Sequence, residues 1–428
     1  MLLLENLKDE LTEAQLTEII SESLKDYANL KKVLIIHPDY TRLDFTDKLT
    51  PIICQKLKNN GAKRIAFLNA SGTHRKITRD EFLVKLGIGD KNSHIQFHNH
   101  DYDDPAQLIT VGEIPSEFVL SKTNGQLNKK IPVTVNKLIL EDHDLIMVLS
   151  DTTPHESTGY SGGLKMFFPG ISGPEVIDLF HWAAALIGIP DIIATIDNPA
   201  RDIINFGSSF IFKKENPMIS FNMVSKIEDH RVIPKGLYIG TGFDGFLKAY
   251  HNAAIASSKI HINYIDSSLD VALQEVRDYY DEVWTAAKGS YKLQKPGVMS
   301  RGGEIIIYAP HIKCFHSNPE MDHAIREIGY HGIGYVQEFL KRNPCFSRNV
   351  AAHVINLRGH GAHDSLTKEE KYSFKVTLAT GIKEIDCRSV GLGYRNPDSI
   401  HLKDFSGPGK LWIKEGGKYV FDLRTRSD

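Results

Sequence analysis

The sequence predicts an α/β fold in which parallel-type sheets are covered by helices, divided into two α/β domains joined by a helical hinge. Three observations support this prediction. Short apolar runs typical of buried strands alternate with segments of helical spacing. Several of these runs end in polar clusters, as strands of open parallel sheets often do. The length of 428 residues is too great for a single ordinary core.

The alternation is clearest in the first half of the chain. Apolar residues with helical spacing occupy residues 11–27, 49–58 and 81–86, and strand-like apolar runs occupy residues 33–36, 64–68 and 145–149. The second of these helices is expected to stop at the sequence Asn59-Asn60-Gly61, a common C-terminal signal. The order strand, helix, strand, helix favours a parallel sheet with helical crossovers.

The remaining segments are assigned in the same way. Residues 90–140 show no clear periodicity and are predicted to be irregular, whereas residues 173–186 are predicted to form a helix. Residues 271–288 are predicted to form one long hinge helix, and residues 304–308 a strand that restarts the α/β pattern. We therefore predict an N-terminal α/β domain at 1–268. The hinge helix and a C-terminal α/β domain follow at 269–428.

Composition excludes several classes of protein. A net charge of −2 gives no reason to expect binding to nucleic acid or to an anionic membrane surface. No apolar run reaches the roughly 18 residues of a membrane span, and the first five residues do not resemble a signal peptide. Four scattered cysteines without a CxxC pair suit a reducing compartment, so we expect a cytoplasmic protein. The sequence leaves the oligomeric state open.

Polar clusters follow three predicted strands. They contain Asp39 and Arg42, His74 and Arg75, and His155 with Lys165. In open parallel sheets, ligands bind outside the carboxyl ends of the strands, so side chains from distant segments can meet there. The glycine-dense turn between His155 and Lys165 permits positive φ and close approach of the backbone to a ligand. These clusters are therefore the candidate functional site.

The glycine-dense turn differs from the phosphate loop of nucleoside triphosphatases. Leu164 separates Gly163 from Lys165, and Met166 stands where that motif requires Ser or Thr. Backbone N–H groups of the glycines could still hold a phosphate.

The residues of this region are similar to the motifs of the lactate racemase family, the enzymes that use a nickel-pincer nucleotide. The matching stretches are Pro154-His155, Gly159-Tyr160-Ser161-Gly162-Gly163-Leu164-Lys165, Pro169-Gly170 and His181, preceded by Asp39-Tyr40-Thr41-Arg42 and Thr73-His74-Arg75. The resemblance covers most of residues 30–300 and is weaker after about residue 310.

The resemblance implies a covalently tethered cofactor. In the family, a pyridinium mononucleotide with thioamide and thiocarboxylate arms is joined to a lysine, which here would be Lys165, and His181 would bind the nickel. Imidazole is a suitable nickel ligand, and Asp178, three residues earlier on the predicted helix, is placed to orient its ring. The remaining cofactor-binding residues implied are Ser161, Gly162, Gly163, Asp39, Trp284 and Thr285. The enzymes that synthesise the cofactor would be transient partners.

The resemblance also implies an activity, the inversion of C2 of a 2-hydroxy acid by reversible hydride transfer. His74 and His155 would be the two acid/base residues, one for each mirror image of the substrate. Arg42 would bind the substrate carboxylate, Lys288 would be a further substrate-binding residue, and Asp39 would orient neighbouring groups. Lys288 would lie at the end of a helix leading into the second domain, so the site is expected in the cleft between the domains.

Some positions differ from the family pattern. Leu43, Lys76 and Leu164 replace residues that are common there, and Trp284 and Thr285 stand where lactate racemases commonly have tyrosine and glutamine. The last two would lie near the cofactor or the substrate. Lactate itself is therefore not assured, and the side chain of the hydroxy acid stays open.

Two other functions are compatible with the sequence. A zinc-type metallohydrolase could use His155, His181 and Asp39, although no H-x-x-H or H-E-x-x-H pair is present. A non-catalytic protein of the same fold could bind hydroxy acids, but mere binding would not require both His74 and His155.

Overall fold

The structure is a computed structural model that describes residues 1–89, 94–213, 216–359, 361–363, 367 and 369–424. Its contacts define two compact units. The first contains Met1–Thr153, Tyr160–Phe180 and Arg201–Ile260, and the second contains Pro154–Gly159, His181–Ala200 and His261–Asp428. The predicted functional domains at 1–268 and 269–428 stay a prediction.

Strands occur in both units. They are β1 (Leu2–Glu5), β2 (Lys32–Pro38), β3 (Arg64–Ala70), β4 (Ile95–Asn99), β5 (Leu108–Ile114), β6 (Ile131–Asn136), β7 (Leu145–Asp151), β8 (Pro154–His155), β9 (Gly159–Tyr160), β10 (Met218–Glu228), β11 (Arg231–Thr241), β12 (Ile262–Ile265), β13 (Leu269–Glu275), β14 (Met299–Ala309), β15 (Gly361–His363), β16 (Glu370–Tyr372), β17 (Phe374–Thr380), β18 (Gly393–Tyr394), β19 (Lys410–Ile413) and β20 (Val420–Leu423).

Helices alternate with these strands. They are α1 (Glu13–Ser23), α2 (Thr46–Asn59), α3 (Arg79–Leu86), α4 (Ser116–Lys122), α5 (Pro174–Ile187), α6 (Ile189–Ile192), α7 (Pro199–Ser209), α8 (Gly242–His261), α9 (Val283–Ala286), α10 (Lys288–Tyr291), α11 (Pro319–Ile328), α12 (Ile333–Arg342), α13 (Arg348–Arg358) and α14 (Glu384–Ser389). Short 3-10 turns join some of them, including Gly163–Met166.

The main sheet of the first unit has, within the described residues, seven strands in the order β1-β11-β10-β7-β2-β3-β4. Strands β10, β7, β2, β3 and β4 run parallel to one another. Strand β11 pairs antiparallel with β10, and β1 pairs antiparallel with β11. Ile36 of β2 lies opposite Leu68 of β3 and Val148 of β7. Because these strands are parallel and in register, the segments that follow them emerge along one edge of the sheet.

Local signals set the ends of the covering helices. Thr12 forms a capping box with Gln15 at the start of α1, and Thr78 forms one with Glu81 at the start of α3. Helix α3 ends at Gly87, whose φ of +61° is the left-handed conformation that favours glycine at this position. These boundaries follow from short-range hydrogen bonds, which is why sequence patterns predict them well.

The core of the first unit is formed by one face of this sheet and the helices packed on it. Strand residues such as Ile35 and Phe67 are fully buried and pack with Leu49 and Ile53 of α2 and Phe82 of α3. In β2 every residue after Lys32 is buried, as expected of a central strand in a parallel sheet that is covered on both faces. The hydrophobic cluster thereby holds the strand ends in fixed positions.

The second unit contains its own parallel sheet. Among its described residues this sheet has five strands in the order β18-β17-β14-β13-β19, and each neighbouring pair is parallel. The predicted class, α/β with parallel-type sheets in two parts of the chain, is confirmed.

The predicted hinge helix at 271–288 is wrong. Residues Leu269–Glu275 form strand β13, a loop follows, and only Val283–Ala286 and Lys288–Tyr291 are helical. The apolar residues in this stretch fit a helical period, but β13 lies between β14 and β19 and its backbone is hydrogen-bonded to both. Pairing with two distant strands therefore overrides the local pattern.

The prediction that residues 90–140 are irregular is also wrong for most of that range. Strand β4 extends the main sheet, β5 and β6 pair with each other, and α4 lies between them in sequence. Residues 90–93 lie outside the described residues. Among the described residues, no helix is both long enough and apolar enough to cross a membrane.

The buried face of β2 can be tested by truncation. Replacing Ile35 by Ala should lower the free energy of unfolding by about 2–5 kcal/mol, because the side chain is fully buried in the core cluster. Val84→Ala on the outer face of α3, where 78% of the residue is exposed, should change it by less than about 0.5 kcal/mol. Urea unfolding followed by circular dichroism measures both, and equal losses would contradict the packing described.

Candidate active site

A pocket lies within the first unit at the carboxyl ends of β2, β3 and β7. Its walls come from these strand ends and from the glycine-rich segment after β7. It is lined by Pro38, Asp39, Arg42, Ala70, Asp151, Ser161, Gly162, Lys165, Met166 and Gly170. Five residues that the sequence singles out, Asp39, Arg42, Ser161, Gly162 and Lys165, thus meet in one place, although they come from two segments far apart in the chain.

Asp39 follows β2 directly and is held by its neighbour. Its Oδ1 accepts hydrogen bonds from the backbone N–H of Thr41 at 2.7 Å and from the Thr41 hydroxyl at 2.5 Å. Burial alone would raise the pKa of Asp39, but the charges of His74 and Arg42 and the Thr41 hydrogen bonds outweigh it. The pKa is therefore held well below its ordinary value. Asp39 is a carboxylate at neutral pH.

His74, in the segment after β3, faces this carboxylate. Its Nδ1 lies 3.3 Å from Oδ2 of Asp39, and its side chain is 16% exposed. The two side chains are close enough to interact electrostatically, but they do not form a hydrogen bond, because Nδ1 has no hydrogen-bond partner among the described residues. Arg75, the neighbour of His74, turns away to pair with Glu81 at 2.6 Å.

The segment between β7 and Lys165 is fixed by hydrogen bonds from side chains. The hydroxyl of Ser161 donates to the carbonyl of Asp151 at 2.7 Å and accepts from the backbone N–H of Thr153 at 3.0 Å. The backbone N–H of Gly163 donates to Oδ1 of Asn222 at 3.0 Å. The Gly163 amide is therefore used within the protein, whereas Gly162 lines the pocket.

Glycine is required where this segment turns. Gly162 has a φ of +85°, and a Cβ there would come within 2.9 Å of Thr152 Oγ1 and 3.0 Å of the Asp151 carbonyl. The turn delivers Lys165, which is half-buried, to the wall of the pocket.

Arg201, on α7, is a site residue that the sequence analysis missed. Its guanidinium is buried and donates hydrogen bonds to the carbonyls of Tyr160 and Gly162. It also lies 4.0 Å from the centre of the Tyr250 ring, in a cation–π contact. A single arginine in a helical sequence carries no signal for such a role, because its partners are 39 and 41 residues away.

His155 and His181 belong to the second unit. His155 ends β8 and is 6% exposed, and its Nδ1 accepts a hydrogen bond from the backbone N–H of Ser157 at 3.2 Å. His181 lies on α5 with Asp178, in agreement with the helix predicted there. The roles expected of them, acid/base catalysis for His155 and nickel binding for His181, stay predictions.

Trp284, Thr285 and Lys288 also belong to the second unit. Trp284 and Thr285 lie on α9, and Thr285 donates its hydroxyl hydrogen bond to the carbonyl of Glu282 at 3.1 Å. Lys288 is 8% exposed, and its Nζ lies 4.8 Å from the centre of the Tyr280 ring. Lys288 is the first residue of the short helix α10, so the prediction that it ends a long helix is wrong.

The indole of Trp284 is held by a buried histidine that the sequence did not single out. The ring of His353 stacks on it at a centroid distance of 4.2 Å. Both nitrogens of His353 contact buried phenols, Nδ1 that of Tyr291 at 3.2 Å and Nε2 that of Tyr330 at 3.1 Å. Burial lowers the pKa of His353 to about 3, so the ring stays neutral and serves as a flat, fixed surface.

No three His, Cys, Asp or Glu side chains among the described residues form a group that could hold a metal ion. The zinc alternative therefore has no such ligand set in this part of the chain.

The fold and the pocket define an α/β protein with a lysine and an arginine at the carboxyl edge of a parallel sheet. Residues 4–188 match the sequence model of the lactate racemase N-terminal domain. Lactate racemase of Thermoanaerobacterium thermosaccharolyticum is 31% identical over 163 residues, or 38% of this chain and 35% of that protein. The enzyme of Lactiplantibacillus plantarum is 29% identical over a stretch of the same length. The N-terminal part of the chain, residues 4–188, is therefore similar to the lactate racemase N-terminal domain.

Solved structures support the fold over nearly the whole chain. A crystal structure of a Thermotoga maritima protein superposes with a TM-score of 0.95 at 51% identity, covering 98% of this chain and 100% of that one. The lactate racemase apoprotein of T. thermosaccharolyticum superposes with a TM-score of 0.68 at 18% identity, covering 97% and 94%. In sequence, however, the match spans only about a third of the length of either curated lactate racemase.

Arg201 is the residue whose removal should most directly loosen the glycine-rich segment. Arg201→Met should lower the free energy of unfolding by about 1–3 kcal/mol, because two carbonyls lose a donor in a buried place. Arg75→Met, which breaks a surface pair, should cost less than about 1 kcal/mol. Urea denaturation compares the two variants, and a loss at Arg201 no larger than that at Arg75 would contradict the role given to its hydrogen bonds.

Proposed function

We propose that the chain is an isomerase, a racemase or epimerase that inverts C2 of a 2-hydroxy acid with a nickel-pincer nucleotide attached to Lys165. The observation that carries the proposal is the shared pocket of Asp39, Arg42, Ser161, Gly162 and Lys165. The similarity of residues 4–188 to the lactate racemase N-terminal domain supports it. The substrate could carry an aliphatic, aromatic, acidic or hydroxylated side chain.

The residues of the pocket fit such a cofactor. Lys165 offers an amine at a half-buried wall, beside the backbone of Gly162, where any larger residue would collide with Thr152 and Asp151. In the proposal Lys165 holds the nucleotide covalently, Ser161 and Gly162 border it, and Gly163 keeps the turn in shape. His181 would be the nickel ligand, a role that imidazole performs well. The cofactor, when bound, supplies a hydride acceptor for C2.

His74 is proposed as one of the two acid/base residues. The carboxylate of Asp39 can only act as an acceptor, so it favours the form of His74 that carries its hydrogen on Nδ1. In that form the lone pair of Nε2 can take the hydroxyl proton of the substrate. His155 is proposed to do the same for the other mirror image. Two such residues are needed because a substrate inverted at C2 presents its hydroxyl group in a different direction.

Arg42 and Lys288 are proposed to hold the substrate. The guanidinium of Arg42 can bind a carboxylate through two parallel hydrogen bonds, and Lys288 can add a second positive charge. Trp284, fixed by His353, is proposed to border the cofactor or the substrate side chain together with Thr285.

The covalent attachment can be tested by intact-mass spectrometry. Protein produced together with the cofactor-synthesis enzymes should gain the mass of the cofactor and bind nickel. Lys165→Arg should remain unmodified because it lacks the reactive amine, and Lys137→Arg, at an exposed lysine of the same unit, should be modified like the wild type. An unmodified wild type under these conditions would count against the proposal.

The acid/base roles can be tested with loaded protein and a panel of single-enantiomer 2-hydroxy acids. His74→Ala and His155→Ala should each slow inversion by about 10²–10⁴-fold and keep the cofactor, whereas His251→Ala, at an exposed histidine, should not. Decay of optical rotation measures the rate. Loss of the cofactor in either variant would show that its role is assigned wrongly. Substrate binding without label exchange at C2 in the wild type would favour a non-catalytic binder.

A further inference from the structure

The ring of His155 is in a different hydrogen-bonding state from that of His74. Its Nδ1 accepts from the backbone N–H of Ser157 at 3.2 Å, and a backbone N–H can only donate. In the neutral ring the hydrogen must therefore be on Nε2. At His74 the carboxylate of Asp39 lies 3.3 Å from Nδ1 and can only accept, so its negative charge favours a hydrogen on Nδ1. The two proposed acid/base residues are thus in opposite tautomers.

This difference matters for the proposed chemistry. With its hydrogen on Nε2, a neutral His155 has no lone pair on that nitrogen to take a proton from a substrate. It gains one only when a hydrogen resides on Nδ1, and the contact with Ser157 must then be given up. An acceptor for a hydrogen on Nδ1 lies nearby, because Oε2 of Glu156 is 3.6 Å from the same Nδ1.

We propose that Glu156 is the positioning residue of His155, and that its carboxylate accepts Nδ1–H when the ring leaves Ser157. The proton balance is simple. Nδ1 takes a proton from a hydronium ion of the solvent to give an imidazolium held by Glu156, and Nε2 then releases its proton to a water molecule, which regenerates the hydronium ion. The ring that remains carries hydrogen on Nδ1 and a free lone pair on Nε2, as His74 does beside Asp39. This assignment rests on the proposed function.

The surroundings confine the change to side chains. The Nζ of Lys292 donates to the carbonyl of Pro154, which immediately precedes His155. On the other side, the backbone N–H of Ala194 donates to the carbonyl of Gly159 at 3.1 Å. The backbone is therefore fixed on both sides of His155 and Glu156, and only the imidazole and the carboxylate need to move.

The carboxylate of Glu156 affects the electrostatics of the groups around it. Its side chain is 13% exposed, so its charge is less screened than that of a surface carboxylate. It also acts on Tyr291, whose pKa is raised well above its ordinary value by burial first and by the charge of Glu156 second. Tyr291 therefore stays neutral. Two charged groups that lie near this segment are therefore Glu156 and Lys292, whose ammonium donates to the Pro154 carbonyl.

The first test uses the full chain without cofactor. In ¹⁵N-histidine-labelled protein, the ¹⁵N shifts of His155 should show hydrogen on Nε2 near neutral pH, with the resonances assigned by their loss in His155→Gln. Glu156→Gln should lower the proton affinity of His155 about tenfold or more, because an opposite charge is removed from the ring. Glu156→Asp should restore part of it, and Glu327→Gln, at an exposed position of the same unit, should leave it unchanged.

The second test uses loaded protein and single enantiomers. The equilibrium constant fixes the ratio of the steady-state kcat/KM values of the two directions. A different effect of a variant on the two enantiomers must therefore be measured in the first half-reaction. In rapid mixing, Glu156→Gln should slow loss of the C2 hydrogen from one enantiomer by about tenfold, and Asp39→Asn should slow it from the other.

The outcomes separate the two proposals. A His155 ring with hydrogen on Nδ1 at neutral pH in the wild type would overturn the role of Glu156. An unchanged proton affinity in Glu156→Gln, or equal slowing of both enantiomers by that variant, would do the same. Failure of loaded wild-type protein to invert any hydroxy acid would instead overturn the proposed function, while the NMR titration would still decide whether Glu156 and His155 act as a pair.

Discussion

The segment between Thr153 and Lys165 is held in place by hydrogen bonds to residues outside it. It contains little regular secondary structure, yet most of it is buried, so its peptide groups need partners elsewhere. Ser161 connects it to the carbonyl of Asp151, and the guanidinium of Arg201 holds two of its own carbonyls. The position of Lys165 at the pocket wall follows from these bonds, and with it the proposed attachment of a cofactor.

Histidine–carboxylate contacts occur in both units. The pKa of Asp39 is held low against the effect of its own burial by its interactions with His74, Arg42 and Thr41. Its carboxylate in turn lies 3.3 Å from Nδ1 of His74 and favours a hydrogen on that nitrogen. At His155 the backbone N–H of Ser157 donates to Nδ1, and the carboxylate of Glu156 lies slightly farther from that nitrogen. The same two residue types can therefore be held in two different protonation arrangements.

The fold was predictable where local patterns and tertiary contacts agree. Apolar runs such as that of β2 are buried strands, and the capping residues of α1 and α3 act within a few positions of themselves. The prediction was wrong at 271–288, where a helical period of apolar residues occurs in a stretch that contains strand β13. Hydrogen bonds to strands β14 and β19 decide that strand, and no window of local sequence contains them.

The sequence by itself determined the residue types at the strand ends, including Asp39, Arg42 and Lys165, and the glycines that allow the turn between them. It did so because both kinds of signal are short-range. Only the tertiary structure decided that these residues share a pocket, that Arg201 holds the turn, and that His155 accepts from the backbone beside Glu156. Those facts depend on the direction of individual donors and acceptors, which composition and periodicity do not record.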